Sequence, residues 1–227
     1  MRIADSIHEL TDEIATACAA AGRDMGEITL VAVSKTVSAS AIREAHAAGL
    51  RHFGENRVQE ILAKSPELTD LELVWHMIGH LQTNKVRALL PHLGVLHSLD
   101  RIDLADHLSR LVAPGTRVPV LIQVNTTGEE TKSGVSPQGL EELADRVLGS
   151  PALELRGLMT IGPLGGSEAE IRQAFTLLRR LRDRLQAEHR DLGLPVLSMG
   201  MSDDFPVAIQ EGATHLRIGS RIFGARH

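Results

Sequence analysis

The 227-residue sequence contains no tyrosine, one tryptophan, four phenylalanines and a single cysteine. With so few aromatic rings, a core has to be built from Leu, Ile, Val, Ala and Met. Cys18 has no partner for an intrachain disulfide, and it lies on the apolar side of a helical pattern near the start of the chain. We therefore expect a buried thiol in a reducing compartment, the cytoplasm.

Long hydrophobic runs are also missing. No segment approaches the roughly 18 uninterrupted apolar residues of a membrane span, and Asp5, Glu9 and Asp12 interrupt any signal-peptide core near the first residue. The formal net charge of −5 disfavours a general attraction to nucleic acid or to anionic membranes. We expect a soluble protein whose partners include neither nucleic acid nor membrane.

The sequence does contain regularly alternating strand and helix patterns. An amphipathic helix is predicted from Ile3, with apolar residues three or four apart, to a point near Gly22. Strands are predicted at 28–33, 52–55, 73–79, 94–98, 118–125, 153–161, 195–201 and 214–219. Helices are predicted between them at 38–49, 56–64, 81–90, 101–112, 137–148, 168–189 and 203–211.

Several of these helices have clear start and stop signals. Ser38 is a plausible N-cap and Gly49 a plausible terminator, Ser136 precedes a proline, and Ser167 with Glu170 forms a capping-box pattern. Eight strand patterns alternating with helices predict an α/β fold: a single (β/α)8 TIM barrel spanning residues 1–227, with an extra N-terminal helix. An open, doubly wound sheet is the alternative.

The first candidate functional group is Lys35. Val31, Val33 and Lys35 share one side of the first strand by the period-two rule. If that side faces the barrel interior, an ammonium group lies at the mouth of an apolar cavity, where burial is costly unless the charge is lost, as it is in a Schiff base. The alternative is a lysine that ends the strand and extends to solvent.

Two further candidates follow the last two strands. Ser202 is predicted at the N-terminus of helix 203–211, where unpaired N–H groups favour a phosphate, although it could simply cap the helix. Arg217, Gly219 and Ser220 end the eighth strand, and Gly219 would let the backbone approach a ligand. Phosphate sites in barrels are frequent after strands seven and eight. Strand eight pairs with strand one in a closed barrel, so Lys35 and this phosphate site suit a phosphorylated aldehyde such as pyridoxal 5′-phosphate (PLP).

The sequence resembles a known family, the YggS/PROSC family of pyridoxal phosphate homeostasis proteins. The similarity runs over nearly the whole chain, through the blocks LVAVSKT at 30–36, FGENRVQE at 53–60, WHMIGHLQTNK at 75–85, HSLD at 97–100, QVNTTGEETKSGV at 123–135, GLMTIGP at 157–163 and LSMGMSDDFPVAIQEGATHLRIGSRIFGAR at 197–226. The family implies a fold-type III PLP barrel, like the N-terminal domain of alanine racemase.

The resemblance also implies roles for individual residues. PLP would form a Schiff base with Lys35, its phosphate would bind to Ser202, Gly219 and Ser220, and its ring nitrogen would face Arg217. Asn56 and Ser198 would line the pocket, and Lys132 matches a family lysine implicated in PLP exchange. Arg57 departs from the family pattern, since many members have Tyr there.

The family further implies a carrier that buffers PLP, with delivery to apo-enzymes, as a monomer or weak dimer. A two-base racemase of the alanine racemase type needs a tyrosine opposite the lysine, and this chain has none. Arg217 at the ring nitrogen would also weaken PLP as an electron sink. We therefore expect no strong catalytic activity; the alternatives are a weak PLP-dependent racemase, another one-base PLP enzyme, or a Schiff-base aldolase without PLP.

A metal site is not expected. His76 and His80 are four residues apart, but their segment is predicted as a strand followed by a turn, so the two rings need not share a face.

Overall fold

A computed structural model of the protein describes residues 2–129, 131–189 and 192–224. Its centre is a closed barrel of eight parallel strands, each paired with the next, and the eighth paired with the first. The strands are β1 (Thr29–Val33), β2 (His52–Glu55), β3 (Val74–Met77), β4 (Val95–Leu99), β5 (Val118–Gln123), β6 (Leu153–Met159), β7 (Val196–Ser198) and β8 (His215–Ile218). The predicted (β/α)8 barrel is confirmed, and the open sheet is excluded.

Helices cover the outside of the barrel. They are α1 (Ile3–Ala20), α2 (Ala39–Ala47), α3 (Val58–Lys64), α4 (Val86–Leu89), α5 (Ile102–Leu111), α6 (Leu140–Leu148), α7 (Glu168–Glu188), α8 (Phe205–Gln210) and α9 (Ser220–Phe223). The predicted extra N-terminal helix is α1, which contacts α2, α8 and α9 and so covers the region where β8 meets β1. No helix among the described residues has the length and apolar composition needed to cross a bilayer.

Several predicted helix ends are confirmed. Ser38 caps α2 by accepting the Ala41 N–H, and Ser167 and Glu170 form the complete capping box of α7. Gly49, which follows α2, has a φ of +103°, a conformation that favours glycine. Local capping chemistry is therefore visible in the sequence at these positions.

Two predicted helices differ from the structure, and a third helix was not predicted. The segment 81–90 contains only the short α4, preceded by the 3-10 turn Thr83–Lys85 and followed by the 3-10 turn Leu90–His92, where Pro91 lacks the N–H that would continue an α-helix. Helix α6 begins at Leu140 rather than 137, since Ser136 accepts the Gly139 N–H and caps a turn instead. The short α9 after β8 was not predicted.

The hydrophobic core lies mainly between the barrel and the helices. It is made of Leu, Ile, Val and Ala with a few larger side chains such as Phe53, Phe175 and Trp75, as the composition predicts. Cys18 is buried in this layer on the inner face of α1. A smaller apolar cluster of Leu121, Met159 and Val196 is separate from it.

Candidate functional site

A cleft of about 430 Å³ opens where the strands end at their carboxyl termini. In TIM-type α/β barrels, functional groups normally lie at this end of the barrel. The lining includes seven residues singled out from the sequence: Lys35, Asn56, Lys132, Ser202, Arg217, Gly219 and Ser220. The eighth, Ser198, is fully buried and is not among the lining residues.

Lys35 reaches the cleft because β1 alternates as predicted. Val31 is buried, while Val33 and Lys35 both line the cleft. Directly after Lys35, Thr36 adopts a φ of +64°, which is unusual for a β-branched residue. The Thr36 N–H donates to Glu60 Oε2 at 2.6 Å, so a side chain from α3 holds this turn.

A buried charge network supports the Lys35 turn from behind. Lys64 Nζ donates to the Ser34 carbonyl at 2.8 Å, to Glu55 Oε1 at 2.8 Å and to Glu60 Oε2 at 2.9 Å. The Ser34 hydroxyl also donates to Glu55 Oε1, at 2.7 Å. Burial raises the pKa of Glu55 despite its ion pair with Lys64. The opposing effect of burial on Glu60 is outweighed by the Thr36 and Lys64 hydrogen bonds, which lower its pKa.

The residues of this network were missed at the sequence level. Glu55 and Glu60 lie within the block at 53–60, and Lys64 follows Glu60 by four residues on α3, a spacing that favours an ion pair. That spacing is the signal that could have identified them.

Ser202 and Ser220 form one end of the cleft. Their hydroxyl oxygens are 2.9 Å apart, so the loops after β7 and β8 bring them together. Ser202 is not at the start of α8, as predicted, but in the turn before it. Asp204 occupies the N-cap position, and its Oδ1 accepts the Met201 N–H at 2.5 Å.

Gly219 lies between this pair of serines and β1. A Cβ at Gly219 would be 2.7 Å from the Val33 carbonyl oxygen, too close for any other residue. The glycine is therefore required by the contact between the ends of β8 and β1. The close approach of its backbone to a ligand, which the sequence suggested, stays a prediction.

Arg217 forms part of the cleft wall and is only 5% exposed. Its Nη1 donates to the Ser198 hydroxyl at 2.6 Å and its Nη2 to the Thr160 carbonyl at 2.7 Å. Burial lowers the pKa of Arg217 to about 10, so it remains a cation at neutral pH. Ser198 therefore contributes to the site indirectly, because its buried hydroxyl holds the Arg217 guanidinium in place.

Lys132 links two loops across the cleft. Its ammonium donates to the Gly162 carbonyl at 3.1 Å, after β6, and pairs with Glu129 Oε1 at 2.6 Å, after β5. With Lys35 and Arg217 it gives the cleft lining three basic side chains, against the single carboxylate of Asp203. This balance favours an anionic ligand.

Histidines inside the barrel were also missed. His52, His76, His97 and His215 are close together on β2, β3, β4 and β8, with ring centroids 4.9 to 6.2 Å apart. His76 belongs to this buried group, whereas His80 lies at the cleft and is 3.7 Å from Asp100. Within the described part of the chain, no three His, Cys, Asp or Glu side chains converge as metal ligands would.

Comparison with known proteins matches residues 10–227 to the family model described as "Alanine racemase, N-terminal domain". A pyridoxal phosphate homeostasis protein of Aquifex aeolicus is 47% identical over 100% of this chain and 99% of its own length. A protein of the same name from Pseudomonas aeruginosa is 49% identical over 99% of this chain and 96% of its own.

Solved structures of similar fold include a relative with PLP bound and a more distant racemase. PipY of Synechococcus elongatus, with PLP bound, superposes with a TM-score of 0.87 at 40% identity, covering 98% of this chain and all of PipY. Alanine racemase of Corynebacterium glutamicum superposes with a TM-score of 0.71 at 19% identity, covering 98% of this chain and 61% of the racemase. The racemase supports the barrel fold alone.

Proposed function

The chain belongs to the alanine racemase N-terminal domain family, within its group of pyridoxal phosphate homeostasis proteins, and on this premise we propose that its cleft binds PLP and serves PLP homeostasis. One observation carries the proposal. An amine, a buried guanidinium and a pair of hydroxyl groups line the same cleft, on Lys35, Arg217 and the Ser202–Ser220 pair.

The cleft fits this cofactor in size, charge and donor set. Its volume of about 430 Å³ is in the range of small-molecule sites. Its three basic residues suit a ligand that carries a phosphate. Arg217 remains protonated, and only some of its five N–H groups are used by Ser198 and Thr160, so it can still donate to a ring nitrogen.

In this proposal each group has a defined task. Lys35 forms the Schiff base, and Ser202, Ser220 and the backbone at Gly219 bind the phosphate. Arg217 faces the pyridine nitrogen, Ser198 positions Arg217, and Asn56 lines the pocket next to Gly79. The cofactor supplies an aldehyde and an electron-withdrawing ring when it is bound. We propose further that residues 1–227 form one domain, because one barrel accounts for all eight strands.

A carrier role is favoured over catalysis by the charge at Arg217. A guanidinium at the ring nitrogen disfavours protonation of that nitrogen, and so weakens the ring as an acceptor of carbanion electrons. We propose that the protein buffers PLP in the cytoplasm and releases it for apo-enzymes, as a monomer or weak dimer. The alternative function is a weak PLP-dependent racemase or another one-base enzyme that uses Lys35.

The experiment that tests the site starts from protein loaded with PLP. The absorption spectrum is recorded before and after borohydride reduction, and mass spectrometry locates the pyridoxyl group. We expect a yellow protein with the adduct on Lys35, and no adduct in Lys35→Ala. Lys85→Ala is the matched control, because Lys85 lies outside the cleft lining and should leave the adduct on Lys35. An adduct on another residue, or a colourless protein indifferent to PLP, would refute the site.

An assay of amino acid racemisation separates the carrier role from the catalytic alternative. Amino acid racemisation at ordinary enzymatic rates that depends on Lys35 would contradict the carrier role.

Lys132 is proposed to act in PLP exchange, since it bridges two loops over the cleft. Lys132→Met should accelerate PLP release to an apo-enzyme acceptor, measured by the activity that the acceptor regains.

A further inference from the structure

Three histidines form a hydrogen-bonded line through the barrel. His52 Nδ1 is 2.9 Å from His76 Nε2, and His76 Nδ1 is 2.7 Å from His97 Nε2. His52 opens β2, at the end of the barrel opposite the cleft, and is half-buried, while His76 and His97 are buried. The line therefore runs from the floor of the barrel toward the cleft.

The line continues to the cleft wall through Ser198. His97 Nδ1 is 3.0 Å from the Ser198 hydroxyl, and that hydroxyl is 2.6 Å from Arg217 Nη1. Five side chains from β2, β3, β4, β7 and β8 are thus joined end to end. Arg217 is the member that lines the cleft.

The chemistry of these groups gives the line a direction. A guanidinium can only donate, so the Ser198 oxygen must accept from Arg217. Ser198 then has one proton to donate, and among the described residues its other polar partner is His97 Nδ1. His97 must therefore accept at Nδ1 and carry its own proton on Nε2. The same reasoning puts the proton of His76 on Nε2, donating to His52 Nδ1.

The reverse direction leaves a buried donor without an acceptor. If His97 donated from Nδ1, the Ser198 oxygen would accept twice and its own proton would have no partner in a fully buried site. An unsatisfied buried polar group is costly, so the direction that starts at Arg217 is favoured.

This direction requires neutral rings. Burial lowers the pKa of His76 and of His97 well below the usual value, and it also lowers the pKa of His52. A metal ion does not explain the line either. Nitrogens 2.7 to 2.9 Å apart leave no space for an ion between them, because Zn–N distances of about 2.0 to 2.1 Å separate two ligand nitrogens by more than about 3 Å.

We propose that His97, His76 and His52 are positioning residues that fix the orientation of Arg217 toward PLP through a one-way line of hydrogen bonds. The effect on PLP rests on the proposed function, while the line itself does not. Each ring can present an acceptor toward Arg217 without leaving its own buried proton unpaired, because the next ring of the line accepts that proton. A break at His76 should therefore reach Arg217, although His76 bonds to His52 and His97 rather than to Arg217 and is not among the residues that line the cleft.

The first test uses the protein before PLP is added. Nitrogen-15 NMR of the imidazoles distinguishes a protonated ring nitrogen from an unprotonated one. We expect wild-type His97 and His76 to carry the proton on Nε2. In His76→Phe, His97 should keep its proton on Nε2, because Ser198 still donates to Nδ1, but the Nε2–H loses its acceptor and its proton resonance should move upfield. His215→Phe is the matched control, because His215 is half-buried beside the line but bonds to Thr214 instead, and it should leave the His97 Nε2–H resonance unchanged.

The second test measures PLP affinity by titrating the visible absorption. His97→Phe removes the acceptor of Ser198 and should weaken PLP binding by about three- to tenfold, the effect of one hydrogen bond. His97→Asn keeps an acceptor oxygen near the position of Nδ1 and should restore most of the affinity. Thermal unfolding identifies variants that fail to fold, and the conclusion then rests on the variant at the other position.

The outcomes separate the two proposals. A wild-type protein that does not bind PLP refutes the proposed function, and the NMR result still decides whether the line exists. A proton on Nδ1 of His97 in the wild type, or an unchanged His97 Nε2–H resonance in folded His76→Phe, overturns the line. Equal PLP affinity in His97→Phe and wild type overturns its role in positioning Arg217.

Discussion

Thr36 shows how one residue conditions the position of the next. Thr36 has a φ of +64°, and it is the only non-glycine residue with a positive φ in the part of the chain that the structure describes. This conformation costs an L-residue about 1–2 kcal/mol, and it is maintained by the Glu60 carboxylate that accepts the Thr36 N–H. The strained turn follows Lys35 directly, so its geometry determines how the amine enters the cleft.

We predict that Thr36→Gly separates stability from binding. Relief of about 1–2 kcal/mol of strain, offset by about 0.5–1 kcal/mol of extra chain entropy in the unfolded state, should raise the free energy of unfolding slightly. The looser turn should at the same time weaken PLP binding. Urea unfolding and PLP titration measure the two effects.

Thr36→Ala is the control for this pair of effects. Alanine keeps the strained positive φ and loses the hydroxyl bond to the Lys35 carbonyl, so it should not raise stability. A Thr36→Gly protein clearly less stable than Thr36→Ala would show that the turn is not strained.

At the scale of strands and helices, the sequence predicts what local chemistry decides. All eight strands overlap the predicted segments, most of which are apolar runs, and the start of α7 follows from its capping box. The start of α6 could not be predicted, because Val135 forms a bridge to Val124 at the end of β5 and the Ser136 hydroxyl accepts the Gly139 N–H in a turn before α6. The N-cap role of Ser202 was not found for a similar reason, since its hydroxyl pairs with that of Ser220 from the loop after β8 and Asp204 occupies the N-cap position.

The contact between β8 and β1 predicts a second mutational effect. Gly219→Ala places a Cβ 2.7 Å from the Val33 carbonyl oxygen, and backbone cannot move away cheaply. We expect a loss of about 1–3 kcal/mol in the free energy of unfolding, typical of overpacking, together with weaker PLP binding. Chemical denaturation and absorption titration are the measurements.

Gly193→Ala is the matched control for Gly219→Ala. Gly193 lies outside the strands and helices, and a Cβ there meets no atom within 4 Å. The control should change neither stability nor PLP affinity. If Gly219→Ala behaved like Gly193→Ala, the close packing of β8 against β1 would not be a constraint on the site.

Across the whole molecule, the outer core is apolar while part of the barrel interior is a group of histidines. The composition predicts the first but not the second. Buried parallel strands are apolar on both faces, so a sequence pattern does not tell which face points into the barrel. His76 and His97 therefore look like isolated polar residues within apolar runs until the closed barrel brings their strands together.

The buried histidines predict that the whole molecule loses stability in mild acid. The usual histidine pKa is about 6.5, and burial lowers it for His52, His76 and His97, and to about 4 for His215. Above about pH 6.5 both the folded and the unfolded chain are neutral at these rings, and stability is full. As the pH falls further, the unfolded chain binds protons first, so unfolding takes up protons and its free energy decreases.

Each buried ring contributes a slope of up to about 1.4 kcal/mol per pH unit until the pH reaches its folded pKa. Urea unfolding between pH 7 and pH 5, where few carboxylates titrate, should therefore show a steep fall. His215→Phe removes one of these rings, and its slope should be smaller by close to one proton. A free energy of unfolding that stays level over this range would mean that the rings are already protonated in the fold, because only a proton bound equally in both states leaves stability independent of pH.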